Sequence, residues 1–300
     1  MLALLRTMEL SIGELAQVLA QSQPRVSRHT KILIEAGLVV RRKEGSWVFL
    51  NPAEPARMRP LFELFDAWST LDGRDPWLLA DQARLAAVRA DRAAAAQHYF
   101  AGHAAQWDQL RSLHVGEAQV EAAIERCLKD KPIGRLVDIG TGTGRMIELL
   151  SAQTREALGI DRSPEMLRLA RAKFAENRIN ADLRQGDMYA LPLPDASADT
   201  VLIHQVLHYA QHPPAAIAEA ARVLSPLGRL LIVDFAPHDR EELRDRDAHT
   251  RLGFADEAIL GWLKAAGLEG RVAEHLEGGA LTVTLWVGER PRTSMLKVVS

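Results

Sequence analysis

The chain has 300 residues, 47% hydrophobic and 25% charged, with a net charge of −2. Such a chain buries a sizeable core without staples, and its overall charge excludes a protein that holds nucleic acid by electrostatics along its whole length. Cys127 is the single cysteine, which excludes an internal disulfide and any multi-cysteine metal site, so no metal is expected. The apolar start Met1–Leu5 is shorter than a signal-peptide core and lacks its basic start. No stretch nears the roughly 18 apolar residues that cross a bilayer. A cytoplasmic chain without a membrane partner is expected.

The first fifty residues read as helix, turn, helix and hairpin. Seven Lys or Arg stand there against four Glu, so this half-domain is mildly basic. Ser11-Ile12-Gly13-Glu14 has the form of a capping box, which satisfies free amides at a helix start. That helix runs to about Ala20, and Ser22 is expected to cap the next one, with Pro24 tolerated in its first turn. Gly37 ends it in the left-handed conformation. Leu38–Lys43 and Trp47–Leu50 are strand-like around Glu44-Gly45-Ser46. In the second helix Val26, Thr30 and Leu33 share one face, and Arg28 and Lys31 lie opposite. That division suits a recognition helix, with Arg41, Arg42 and Lys43 in a wing that reaches phosphates or a minor groove.

Leu15-Ala16, Ser22 through His29, Leu33 and Glu35 through Val39 together resemble the ArsR family of winged-helix repressors. The resemblance implies a DNA-facing helix carrying Gln23, Arg25, Ser27, Arg28 and His29, with Lys31 beside them. The family's paired thiolate metal motif is missing. No helix is expected before Leu2, where the family has its first, dimerising helix. Either the chain is shortened there or the helices at 57–112 carry dimerisation; a homodimer is expected, because one half-site reader binds weakly.

Pro52 and Pro55 mark a break, after which residues 57–112 give two helical stretches separated by Asp72–Pro76. The second is rich in alanine, the strongest helix former, and carries Tyr99, Phe100 and Trp107, suited to packing on a neighbouring domain or a second subunit.

From Gly134 onward strands alternate with amphipathic helices. The strands are Arg135–Ile139, Ala157–Asp161, Ala181–Gln185, Thr200–His204 and Leu230–Phe235, with helices from about Gly144, Pro164 and Pro214. The alternation predicts a mostly parallel α/β sheet covered on both faces. Arg271–His275 and Leu281–Val287 read as a closing antiparallel pair.

Asp138-Ile139-Gly140-Thr141-Gly142-Thr143-Gly144 joins the first of these strands to a helix through a glycine-rich turn. Asp161 ends the next strand, where a carboxylate can accept both hydrogen bonds of a ribose diol. Gly186-Asp187-Met188 follows the third, within reach of an adenine edge. The glycine spacing departs from the pyrophosphate fingerprint of a nicotinamide-dinucleotide site, which is the runner-up.

These features in order, over about residues 115–290, resemble class I S-adenosylmethionine-dependent methyltransferases of the UbiE-like group. The resemblance implies a Rossmann-like domain with a seven-stranded sheet whose last strand is reversed. It implies cofactor contacts from Asp138, Gly140, Thr141, Gly142, Gly144, Asp161, Arg162, Gly186, Asp187, Met188 and His204. His204, His208 and Tyr209 flank the methyl group as catalytic candidates, with Asp234 and His238 after the fifth strand. A base is needed only where the acceptor is a hydroxyl or an acidic carbon.

The expected organisation is a winged helix-turn-helix over 1–52, a helical linker or dimerisation segment over 53–114, and a methyltransferase domain over 115–300. The expected function is an ArsR-like regulator fused to a methyltransferase that converts S-adenosyl-L-methionine to S-adenosyl-L-homocysteine on a small-molecule substrate. The alternative is a non-catalytic DNA-binding sensor of the cofactor and its product.

Overall fold

The computed structural model describes residues 1–44, 47–71, 76–103 and 116–291. The Gly45-Ser46 turn, the 72–75 separation and the stretch 104–115 with Trp107 lie outside these residues, as do the side chains of Tyr99 and Phe100. The chain divides into two compact units, Met1–Ala96 with Asp239–Glu241, and Gln97–His238 with Glu242–Ser300.

In the first unit, α1 (Leu2–Thr7), β1 (Leu10–Ser11), α2 (Ile12–Val18) and α3 (Gln23–Glu35) precede a hairpin of β2 (Val39–Glu44) and β3 (Trp47–Pro52). Two longer helices follow, α4 (Pro55–Leu71) and α5 (Pro76–His103). The short α1 and β1 were not expected; β1 pairs antiparallel with β3 and turns the hairpin into a three-stranded sheet.

The capping box forms: the Glu14 amide donates to Ser11 Oγ at 3.2 Å, and the Ser11 amide to the Glu14 carboxylate at 2.8 Å. Ser22 stands at the N-cap of α3, but its hydroxyl makes no capping bond, contrary to expectation. Pro24 has no amide hydrogen to offer, and the Arg25 amide already donates to the Ser22 carbonyl at 3.1 Å. Gly37 adopts φ 66° as expected. Leu4, Leu10, Leu15, Val18, Val26 and Leu50 form the core of this unit, joined by Leu85 and Val88 of α5. Each such buried aliphatic contributes about 1.5–3 kcal/mol relative to exposure.

The second unit opens with α6 (Glu117–Leu128), then β4 (Gly134–Ile139), α7 (Arg145–Leu150), β5 (Thr154–Asp161), α8 (Pro164–Asn177) and β6 (Asp182–Gln185). It continues through β7 (Ala198–His204), a 3₁₀ turn (Leu207–Tyr209), α9 (Pro213–Val223) and β8 (Leu224–Phe235). It ends with α10 (Glu242–Arg246), α11 (Asp256–Ala265), β9 (Glu269–Leu276) and β10 (Val283–Glu289). The acidic start Asp256-Glu257 and the stop at Gly267 are the signals by which α11 could have been read from sequence.

The seven strands lie in the order β6-β5-β4-β7-β8-β10-β9, an α/β sheet in which β10 runs antiparallel to both neighbours. The expected closing antiparallel pair forms, and its reversed last strand enters between β8 and β9. Side chains alternate between two cores, as the two-residue period of a strand requires. Val137, Ile139, Val201 and Ile203 face α9 and α11, whereas Leu136 and Leu202 face α6 and α7. Leu230 to Val233 of β8 are apolar throughout and fully buried, because helices cover both sheet faces.

Candidate functional site

Strands β4, β5, β6 and β7 end at one edge of the sheet, where an open α/β fold places its ligands. The loop after β4 is tied sideways to β5, since the Gly140 and Thr141 amides donate to the Ile160 carbonyl at 2.7 and 3.1 Å. Gly140, Gly142 and Gly144 have φ values of 71°, 54° and 80°, a region that side chains resist. At two of these glycines the space is claimed by protein. A Cβ on Gly140 would lie 2.6 Å from Val206, and one on Gly144 would lie 2.5 Å from Phe174. Those two glycines admit neighbouring side chains, a packing reason beside the expected ligand approach.

The carboxylates hold the loop. Asp138 is 1% exposed and accepts the Thr141 hydroxyl at 2.6 Å. Asp161 accepts the Gly142 amide on one oxygen and the Ser163 amide on the other, each at 2.8 Å. Burial pushes the Asp161 carboxyl above its ordinary value, and the amides of Ser163, Gly142 and Arg162 oppose that shift. A carboxylate offers about four lone-pair sites, so the group keeps room for a ribose hydroxyl. Ser163 is a participant that sequence reading missed; its place two residues after Asp161 was the available signal.

Gly186 donates its amide to the Asp161 carbonyl at 3.0 Å and brings β6 against β5. Asp187 accepts the Tyr189 amide at 3.0 Å, and Met188 packs on the sheet core. Arg162 is exposed, with its carbonyl bound by Gln185 Nε2 at 3.1 Å. Residues 138–144, 161–163 and 186–188 are thus neighbours along one edge.

Beyond β7 the backbone bends sharply. Gln205 is a buried non-glycine residue at φ 49°, with its amide bound to the Val233 carbonyl at 2.7 Å. Strained positions of this kind cluster at functional sites. His204 ends the strand and is buried. His208 is 2% exposed and Asp234, on the adjacent β8, is 0% exposed. His208 Nδ1 lies 2.8 Å from Asp234 Oδ1, and the His208 amide donates to Asp234 Oδ2 at 3.1 Å. The Phe235 amide also donates to Asp234 Oδ1, at 2.8 Å. Among the described residues His208 Nε2 has no hydrogen-bond partner, a deficit that costs about 1–3 kcal/mol in a protein interior. The ring packs against Tyr209 at 4.0 Å, His249 at 4.2 Å and Phe235 at 5.0 Å between centroids. His249 and Arg251 had no local signal, since they reach this place through a loop.

In the first unit, Val26 and Thr30 of α3 are buried and Leu33 half-buried, while Gln23, Arg25, Ser27, Arg28, His29 and Lys31 are exposed. Arg41 and Lys43 are exposed on β2. Arg42 departs from the expected basic wing. It clasps buried Glu9 through two hydrogen bonds of 2.9 Å and lies over the Phe49 ring at 5.2 Å. Asn51 donates to the same carboxylate at 2.6 Å. The alternation along a strand puts Arg42 on the face opposite Arg41 and Lys43.

Comparison with known proteins agrees with both halves. A family described as a methyltransferase domain matches residues 137–232, and the arsR family of bacterial regulatory proteins matches residues 1–40. The ubiquinone/menaquinone biosynthesis C-methyltransferase UbiE of Stutzerimonas stutzeri is 30% identical over 188 residues, covering 52% of this chain and 73% of that protein. The chain belongs to the UbiE-like methyltransferases. It carries an arsR-type helix-turn-helix at its N-terminus. A demethylmenaquinone methyltransferase of Deinococcus radiodurans is 37% identical over 152 residues, 49% of this chain and 63% of that protein. Two further relatives are spanned over 42% and 52% of their lengths, so about half of such a relative is matched. The crystal structure of YcgJ from Bacillus subtilis shares the fold at a TM-score of 0.53 and 19% identity, covering 59% of this UbiE-like chain and 100% of that one. Among the described residues, no helix of this UbiE-like chain is long and apolar enough to cross a membrane.

Proposed function

We propose that this UbiE-like chain is a cytoplasmic enzyme that transfers a methyl group from S-adenosyl-L-methionine to a small-molecule acceptor, under a DNA-reading N-terminal segment. The observation that carries the reading is the Asp161 carboxylate, braced by the Gly142 and Ser163 amides beside a loop of left-handed glycines. The bound sulfonium would supply an already activated methyl group. Asp161 and Arg162 would hold the ribose, and Gly186, Asp187 and Met188 the adenine. Asp138, Gly140, Thr141, Gly142, Gly144 and His204 would border the methionine end. His208, His204 and Tyr209 would stand nearest the acceptor, with the protein aligning the two reactants and excluding water. The names of two matched relatives, a demethylmenaquinone methyltransferase and a UbiE C-methyltransferase, support a small organic acceptor.

Residues 1–52 would read DNA through Gln23, Arg25, Ser27, Arg28, His29 and Lys31, with Arg41 and Lys43 on phosphates; Arg42 is assigned to the fold instead. Residues 53–114 would serve dimerisation and 115–300 the cofactor. Exposed Leu64 and Trp68 on α4, and Trp77 and Leu79 on α5, support a homodimer that covers them. A pure sensor of cofactor and product is favoured by one observation, the solvent-facing polar row on α3.

Calorimetry with S-adenosylmethionine and S-adenosylhomocysteine, followed by labelled-methyl transfer in cell extracts, tests the enzyme. Binding of both forms with transfer to an extracted small molecule is expected; no binding of either sinks the reading. A sensor must change its operator affinity on cofactor binding, by reciprocal linkage. Operator affinity indifferent to saturating cofactor and product eliminates it.

A further inference from the structure

We infer that Tyr189 and Arg251 are positioning residues through which the bound cofactor completes the acceptor side of its own site. Tyr189 carries occupancy from Asp187 to the bend 210–212, and Arg251 seats a strap of residues 249–252 on that bend. The inference rests on the methyl-transfer reading above, in which Asp187 holds the adenine. The Asp187 carboxylate takes the Tyr189 amide at 3.0 Å, and its carbonyl takes the Ala190 amide at 3.1 Å. A ligand on this carboxylate therefore fixes the turn from which the Tyr189 side chain projects. The Tyr189 hydroxyl accepts the His212 amide at 3.1 Å, 23 residues further along the chain.

Arg251 holds the bend from its other side. Its guanidinium donates to the Ala210 carbonyl at 3.2 Å and to the Gln211 carbonyl at 2.9 Å, and its amide donates to the His208 carbonyl at 3.0 Å. The Thr250 hydroxyl donates to the Tyr209 carbonyl at 3.3 Å. Consecutive carbonyls from His208 to Gln211 thus carry two neighbouring residues of the strap. Hydrogen bonds from a charged donor are roughly twice as strong as neutral ones, and Arg251 is buried, where water competes little. The ends of the strap are tied elsewhere. The His249 amide donates to the Leu243 carbonyl at 3.1 Å, and the Leu252 carbonyl accepts the His238 amide at 3.1 Å. Left-handed residues stand just outside it, Ala248 at φ 55° and Gly253 at φ 83°. A Cβ on Gly253 would strike the Ala236 carbonyl oxygen, so that joint requires glycine. A segment with tied ends and a middle resting on one bend takes its position from the bend.

The pieces lie in series along the sheet edge. Asp187 is in the loop after β6, the bend is in the loop after β7, and the strap follows β8, with the His249 ring 4.2 Å from that of His208. Contiguous hydrogen-bonded groups of this kind carry coupling between sites. Neither Tyr189 nor Arg251 is assigned a contact with the reacting atoms; each acts through the bend. With Asp187 empty the bend is braced by the strap, and with Asp187 filled it is braced from both sides. The wall beside His208 is complete only then, so the cofactor binds before the acceptor.

Amide hydrogen exchange on the full chain, which reads local opening, tests this with S-adenosylhomocysteine as the probe. In the wild type the probe should slow exchange at the Gly142, His212 and Arg251 amides, the last by about fivefold or more, the low end of coupling between linked sites. Tyr189→Phe should still bind the probe in calorimetry and still protect Gly142, but the response at Arg251 should be lost. Arg251→Lys should exchange faster at position 251 with and without the probe, while the His212 amide still slows. A purely structural role for either residue would shift exchange equally in both states and leave these responses in place. A bound probe that leaves the wild-type Arg251 amide unchanged overturns the inference. So does a Tyr189→Phe chain that responds as the wild type does or no longer binds the probe, or an Arg251→Lys chain that loses the His212 response. A wild type that gives neither binding heat nor protection at Gly142 overturns the methyl-transfer reading first, and this inference with it.

Discussion

Two polar surfaces of this protein are built in opposite ways. On α3 the polar residues face solvent and need no tertiary partner; Val26 and Thr30 beneath them anchor the helix. At the sheet edge half-buried and buried polar groups hold one another across 19 to 26 residues of sequence, as Asp161 holds Gly142 and Asp234 holds His208. A solvated row can lose one member and keep its shape. A buried network loses its geometry with any member, because each unpartnered group in a low-dielectric interior is expensive. The contrast predicts graded, separable losses on α3 and all-or-none losses at the sheet edge.

The largest effect is expected from Asp161→Ala. Removing a charged hydrogen-bond partner should weaken cofactor binding about a hundredfold in calorimetry, from roughly 1.5–3 kcal/mol per charged hydrogen bond. DNA binding without cofactor should be unchanged; a loss of both would erase the contrast. Gly140→Ala comes next. Its left-handed backbone and the Val206 methyls 2.6 Å from the new Cβ should lower unfolding stability by about 1–3 kcal/mol. A neutral result in chemical denaturation would mean that the loop is looser than its geometry.

The basic residues sharpen the comparison within the first unit. Arg42→Ala removes two hydrogen bonds from the buried Glu9 carboxylate, which keeps the one from Asn51, and should cost about 1–3 kcal/mol of stability. Arg28→Ala should leave stability unchanged, weaken operator binding about tenfold and reduce the salt slope by roughly one ion. The reverse assignment, with Arg42 governing the salt slope, would show that the wing reads DNA with the other face of β2.

The smallest effect is a pH dependence. Burial raises the Asp161 carboxyl above its ordinary value, so it protonates at a higher pH than an exposed aspartate. Cofactor affinity should be full above that raised value and fall as pH drops through it, while Arg28-dependent DNA binding stays flat over the same window. Stability moves the other way at this site. A raised folded value means the folded state binds the proton more tightly than the unfolded one, so folding gains as pH falls through the window. Affinity that persists well below the ordinary aspartate range would show that Asp161 is not the ribose ligand.

What could be read from residues alone was whatever repeats locally. The three-and-four spacing of Val26, Thr30 and Leu33 gave the buried side of α3, and Ser11 with Glu14 gave a cap that forms. The ordered strand-end motifs at Asp138, Asp161 and Asp187 gave the parallel strands of the sheet. Each rests on backbone period or on a short motif, which neighbouring residues suffice to establish.

Tertiary structure decided the rest. Arg42 turned to Glu9 because β1 brought that carboxylate under the hairpin. The last strand entered between β8 and β9, and His208 met Asp234 because β7 lies beside β8 in register. None of these pairings has a period to announce it. They follow from which strands become neighbours, and that is chosen by the burial of two whole sheet faces rather than by any one segment.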